Sequence, residues 1–218
     1  MSRQNTGMDR QPNRPRGPYA KTPERRREIL RTALEVFGQY GYRGSSIREI
    51  AARVGMTDTG VVHHFGGKRN LLLEVLKERD EVDTALSTVD EPVDPFDRHI
   101  VARNTKRQGV VRMFATLSAE ATDPDHPANK YFILRYAGLR VIIRQRFERQ
   151  RALGRLSSDH DPELAARVTL AVMDGLQIQW LLDPTQDMSE AYDNFVNHYF
   201  GDSTRMGGLA GSKEDGCC

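Results

Sequence analysis

The residues best suited to chemistry crowd into one short stretch: Thr57, Asp58, Thr59, Gly60 and His63, with Lys68 five positions further on. Hydroxyls, a carboxylate and an imidazole at this density can donate to and accept from base edges; Thr59 can also offer a methyl to thymine, and a lysine ammonium suits phosphate. Asp58 has two uses open to it. It can accept from a cytosine amino group, or it can stabilise the first turn of a helix through the dipole, an effect of about 0.3–1 kcal/mol. Gly60 lets a backbone approach closely.

Other groupings carry less. His63 and His64 are adjacent, so on a helix they diverge by about 100° and cannot grip one ion, and no Cys or carboxylate stands beside them at ligand spacing. DNA contact suits His63 and packing suits His64. Asp123, Asp125 and His126 lie close together but in a proline-flanked turn. Cys217 and Cys218 are adjacent and terminal, a poor structural disulfide. There is no glycine-rich phosphate loop, no serine elbow and no cysteine placed for activation inside a fold. We therefore expect no catalytic residue, no metal and no cofactor.

The elements that must position the first group are two short helices. Ile47, Ile50, Ala51 and Val54 recur at three- and four-residue spacing, with Ser45 and Ser46 as caps and Glu49 placed to complete a capping box. Gly55 stops that helix and Thr57 caps the next, which runs to Phe65. Val61, His64 and Phe65 are expected to turn inward. The pattern is a helix-turn-helix, whose second helix lies in the major groove while the first crosses the phosphate backbone, bringing Ser45 and Ser46 near it. Lys68 then opens a helix whose backbone N–H groups and ammonium together form a phosphate clamp.

From Gly41 and Tyr42, through the run 45–51, to His64, Phe65, Lys68, Leu71 and Leu72, this sequence resembles the TetR family of transcriptional regulators. The family carries an aromatic where this chain has Val62, and often glycine where it has Thr59. Val62 has no hydroxyl to offer a phosphate. The resemblance implies an all-α fold, an N-terminal three-helix DNA-binding domain followed by a C-terminal helical ligand-binding and dimerisation domain, and it gives the lysine at 68 its phosphate role.

Charge agrees with that division. The chain of 218 residues has a formal net charge of only +2. Residues 1–79 nevertheless hold 16 Lys and Arg against 8 Asp and Glu, while the remainder holds 16 against 22. A basic front on an acidic body fits a DNA-binding head. Residues 1–21 form an Arg-, Pro- and Gly-rich arm expected to be disordered, able to reach a minor groove or merely solubilising. Thr22, Pro23 and Glu24 open the first helix, with Ile29, Leu30, Ala33, Leu34, Val36 and Phe37 inward and Arg25, Arg26, Arg27 and Arg31 largely outward; Arg25 is taken as a phosphate contact. The stretch from Gly38 to Gly41 is expected to end it.

Beyond residue 68 the periodicity is wholly helical. Residues 22–68 are read as the DNA-binding domain, 69–200 as the effector-binding and dimerisation body, and 201–218 as a disordered tail. An acidic, proline-marked loop at 90–95 precedes helices at 96–105, 110–121, 128–153, 161–183 and 188–200. The last two carry excess apolar surface and are expected to pair with their copies in a homodimer. The family resemblance implies an effector pocket in the body, and its candidate lining is Met113, Phe114, Leu117, Tyr131, Phe132, Tyr136, Met173, Gln177 and Trp180, which points to a small apolar effector. No secretory signal or spanning segment is evident, so a cytoplasmic protein is expected. The function that follows is a ligand-released repressor binding a palindromic operator as a dimer. The alternative is a helical interaction protein holding nucleic acid loosely.

Overall fold

The computed structural model describes residues 23–87, 98–154 and 161–200, and side chains at 83–87 are excluded. The arm at 1–21, the loop at 90–95, the start of the helix placed at 96 and the tail at 201–218 lie outside the described residues. Those described form α1 (Pro23–Gly44), α2 (Ile47–Arg53), α3 (Asp58–Phe65), α4 (Lys68–Ser87), α5 (Arg98–Asn104), α6 (Gln108–Glu120), α7 (Asn129–Ala152), α8 (Pro162–Leu182) and α9 (Met188–Phe200). No helix among them is long and apolar enough to cross a membrane.

Local signals explain most boundaries. Asp161 caps α8 by accepting from the Glu163 N–H at 3.1 Å, with Pro162 at the first helical position, where a missing N–H costs nothing. Gly154, at φ 68°, follows the end of α7. The capping box is only half made. Ser46 accepts from the Glu49 N–H, but the Glu49 carboxylate pairs with Arg53 one turn on instead of reaching back.

The apolar core does not divide at residue 68. Ile29, Ala33, Val36 and Phe37 of α1, Ile50 of α2, Val61 of α3 and Leu71, Leu72, Val75 and Leu76 of α4 share one cluster with Met113, Phe114 and Leu117 of α6 and Phe132 of α7. A second cluster joins Val101, Val111, Ile143 and Phe147 to Leu170, Trp180, Tyr192, Val196 and Phe200. Head and body are thus continuous through α1 and α6.

Glycine makes that seam possible. Gly38 does not end α1 as its type suggested; it is buried within the helix, and a Cβ there would stand 3.1 Å from the Met113 backbone N. The Thr116 hydroxyl donates to the Gly38 carbonyl across the seam at 3.2 Å. The helix breaks at Gly41, φ 69°, a left-handed conformation that L side chains resist. The next N–H, of Tyr42, donates to Glu120 Oε2 at 2.6 Å. Buried His126 stands edge-on to Tyr42, with ring centroids 5.3 Å apart, and its Nδ1 accepts from the Ala128 N–H. Burial pushes the imidazole pKa down, against the pull of Glu120.

A Cβ on Gly41 would overlap the Glu120 carboxylate and impose the left-handed backbone penalty of about 1–2 kcal/mol. Gly41→Ala is expected to lower the unfolding free energy by about 2 kcal/mol or more, measured by urea denaturation at an unchanged slope. An unaltered midpoint would show that this seam contributes little.

Candidate functional site

The turn between α2 and α3 is closed by local backbone hydrogen bonds. Gly55, at φ 62°, lets the Met56 N–H reach the Ala51 carbonyl at 2.8 Å and the Gly55 N–H reach that of Ala52 at 3.2 Å, a Schellman closure. Thr57 then caps α3, its Oγ1 accepting from the Gly60 N–H at 3.1 Å. Val61 and Phe65 are buried, and that anchors the rotation of α3. Thr57, Asp58, Thr59, Val62 and His63 are consequently exposed, while His64 is half-buried. Gly60 has a crowding reason of its own: a Cβ would stand 3.0 Å from Met56 Cε and 3.3 Å from Thr57 Oγ1.

Three residues expected at phosphate face inward instead. Ser45 is buried, and its hydroxyl donates to the Tyr42 carbonyl at 2.9 Å. Arg25 donates to the Val54 carbonyl at 2.7 Å and pairs with Glu28 at 2.6 Å, so it satisfies the end of α2. The Lys68 ammonium donates to the Ser45 carbonyl and lies 4.5 Å from the Tyr42 ring centroid, and partial burial pulls its pKa down. These cations hold the motif together where the orphan carbonyls of short helices need donors. Ser46 stays exposed, as do Arg48 on α2 and Arg69 in the first turn of α4.

The body holds an open cavity of about 610 Å³ lined from α4, α5, α6, α7 and α8. Phe114, Tyr131, Tyr136, Met173 and Gln177 line it as expected. Met113, Leu117 and Phe132 do not; they belong to the core shared with α1, and Met113 packs directly under Gly38. Trp180 belongs to the second core, with Met188 and Tyr192. The helical period turns these four away from the cavity.

The rest of the lining adds charged and polar groups to this apolar set: Arg79 and Asp80 of α4, Arg103 and Asn104 of α5, Arg135 and Arg146 of α7, and Asp174 of α8. Arg135 pairs with Asp80, the Tyr131 hydroxyl donates to Asp80 at 2.7 Å, and Arg79 Nη1 lies 3.3 Å from the same carboxylate. The Arg79 and Arg135 guanidinium carbons lie 4.6 and 5.1 Å from the Phe114 ring centroid. The Tyr136 hydroxyl donates to Asp174 at 2.6 Å. One signal was legible in sequence: Arg135 and Arg146 are eleven residues apart, three helical turns, and so share a face. The Asp80 partner of Arg135 lies 55 residues away in sequence, and no local pattern announces it.

Residues 29–75 match the family model described as bacterial regulatory proteins, tetR family, and residues 98–201 match that of the BetI-type transcriptional repressor, C-terminal. A relative, the HTH-type transcriptional repressor AcnR of Corynebacterium jeikeium, is 30% identical over 153 residues, covering 70% of this chain and 79% of its own. The chain belongs to the TetR family. It is a helix-turn-helix transcriptional regulator. AcnR of Corynebacterium diphtheriae is 26% identical over 151 residues, covering 69% and 78% of the two chains. The fold is shared with AibR, solved in complex with isovaleryl coenzyme A and operator DNA, at a TM-score of 0.67 and 24% identity over 81% of this chain and 98% of that one. Within this TetR-family architecture α3 is the second helix of the motif, and the cavity is lined mainly by the region matched by the C-terminal model, with Arg79 and Asp80 of α4 added from outside it.

Burial pushes the Asp174 carboxyl above its ordinary value, while the Tyr136 hydroxyl, Arg135 and Arg79 pull it down. The native state therefore keeps a proton over a range, starting near pH 4, in which the unfolded chain has lost it, so this group reduces stability as pH rises. Asp174→Asn keeps an acceptor for Tyr136 and removes the charge. Melting midpoints taken from pH 4 to 7 are expected to favour the variant increasingly toward pH 7; a gap independent of pH would contradict the assignment.

Proposed function

We propose that this regulator is a homodimeric repressor that binds a palindromic operator through α3 and is released by a small effector in the body. The observation that carries it is the outward face of α3. Thr57, Asp58, Thr59 and His63 are exposed on a helix whose rotation is set by buried Val61 and Phe65. Such a helix reads base edges from its N-terminal turns. Exposed Ser46 at the start of α2 and Arg69 at the start of α4 support the approach of the phosphate backbone there. Two half-sites about one helical turn apart require two heads.

The dimer uses α8 and α9. Leu164, Ala171, Ile178 and Leu182 form an exposed stripe on α8, Leu182 being 82% exposed, and Ala191 and Tyr199 are exposed on α9. A second copy removes this apolar surface from water. The relatives named as repressors support the sign of regulation, and AibR, solved with a coenzyme A thioester and operator DNA, supports a ligand-bearing body. A regulator of this kind works in the cytoplasm, beside the DNA.

Occupancy of the cavity acts on α4, which contributes Arg79 and Asp80 to the lining at one end and packs against α1 and α3 at the other. The effector must bind the released form more tightly; a ratio of about 100 corresponds to about 2.7 kcal/mol.

Selection from a random DNA pool by the purified protein is expected to enrich an inverted repeat. Binding without enrichment that vanishes as salt rises would favour the loose nucleic-acid binder instead. On the selected site, Thr59→Ala is expected to change preference at one base pair per half-site by about 1–3 kcal/mol, read by competition among single-base variants. An unaltered ranking would remove Thr59 from the reading set.

A further inference from the structure

The side chains on the outward face of α3 restrict the bases it can read, given the reading that it enters an operator's major groove. Its eight residues include no Arg, Lys, Asn or Gln, the side chains that make two-point contacts to guanine or adenine. Exposed positive charge stands on the flanking elements instead, at Arg48 of α2 and Arg69 of α4, where it suits phosphate. What α3 offers outward is a carboxylate, a methyl-bearing hydroxyl, a branched hydrocarbon and an imidazole: Asp58, Thr59, Val62 and His63.

Asp58 is not needed as a cap, because Thr57 Oγ1 already accepts from the Gly60 N–H. The first-turn acids of α1 and α2 each pair with an arginine, Glu24 with Arg27 and Glu49 with Arg53. None of the described residues pairs with Asp58. Its carboxylate stabilises the first turn through the dipole without using up its acceptors. Facing DNA, that carboxylate is repelled by phosphates and by the two acceptors of guanine. Cytosine alone presents a donor with no acceptor beside it: adenine sets N7 next to its amino group, and thymine offers O4.

Val62 is 41% exposed, although buried Val61 and Phe65 already anchor the helix. It lies four residues from Asp58 and three from Thr59, so it neighbours both on the helix surface. The C5-methyl of thymine is the apolar group that the major groove displays to such a side chain.

We infer that α3 reads pyrimidines: Asp58 accepts from the amino group of a cytosine, and Val62, beside Thr59, covers the methyl of a thymine. Neighbouring side chains on a helix stand about 5–6 Å apart and successive bases about 3.4 Å, so the two pyrimidines lie within about two base pairs of each other in each half-site. A purine in the place of that cytosine sets its N7 acceptor against the carboxylate.

The test uses the full-length protein and the inverted repeat it selects from a random pool, with base analogues placed one position at a time in both half-sites. Uracil for thymine removes the methyl and keeps the pairing. N4-methylcytosine for cytosine keeps the pairing and replaces the major-groove N–H by a methyl. Affinities are measured for the parent chain, Val62→Ser and Asp58→Asn, with folding checked by circular dichroism. In the parent, uracil at one thymine is expected to weaken binding by about fourfold per half-site, the worth of a buried methyl; in Val62→Ser the loss is expected to fall to about twofold or less. N4-methylcytosine at a cytosine close by is expected to weaken the parent by about tenfold. Asp58→Asn is expected to lose the preference for that cytosine and to favour adenine, whose N6 and N7 suit a carboxamide. A pool that enriches no inverted repeat overturns the operator reading and this inference with it. With a repeat in hand, the inference alone is overturned if no thymine is sensitive to uracil, if Val62→Ser leaves that sensitivity unchanged, if N4-methylcytosine is tolerated at every cytosine, or if Asp58→Asn leaves the base preference undisturbed.

Discussion

The close approach of α1 to α6 governs how the whole molecule is assembled. Two glycines permit it. At Gly38 the backbones come within the distance a single methyl would need, and at Gly41 the chain turns left-handed, leaving room for the Glu120 carboxylate to accept from the Tyr42 N–H. A side chain at either position would push the head away from the body and open the core that they share. His126 is enclosed in the same seam, edge-on to Tyr42, and the Arg43–Asp123 pair closes its outer side. The DNA-binding head is therefore not an independent module on a tether; its first helix, α1, is part of the body's packing.

Within the head, short helices impose their own constraint. α2 and α3 have seven and eight residues, so unsatisfied end groups are a large share of their backbone. Thr57 and Ser46 satisfy N–H groups, and Arg25 and Lys68 satisfy carbonyls of Val54 and Ser45. Basic residues that a charge count would assign to phosphate are thus used partly as internal caps. That leaves the exposed face of α3 to Thr57, Asp58, Thr59, Val62 and His63.

In the body the same chemistry serves a different end. A polar network of arginine, aspartate and tyrosine around a cavity is a costly way to stabilise a fold, since well-packed apolar residues of similar volume do as well or better. Its placement is what matters. Asp80 lies on the helix that begins immediately after the reading motif, and Arg135 and Tyr131 lie on the long helix behind the cavity. The Arg135–Asp80 pair therefore ties α7 to α4.

What the chain determines by itself is the set of helices and the helix-turn-helix, because those signals are local: Ser46, Thr57 and Asp161 cap, Gly55, Gly66 and Gly154 stop, and apolar residues repeat at helical spacing. The outward front of α3 was legible for the same reason, since inward Val61 and Phe65 set its rotation. Tertiary structure alone decided where side chains with two uses point. Ser45, Arg25 and Lys68 face inward because carbonyls from neighbouring elements lie within their reach. Gly38 sits inside a helix because α6, some 75 positions later, lies against it. Five of the nine cavity candidates line the cavity and four do not, since periodicity marks a residue as buried without saying which of two neighbouring cores or cavities receives it. The cavity's charge is a product of helices α4, α5, α7 and α8 meeting in space, and long-range pairing of that kind leaves no periodic trace in any one of them.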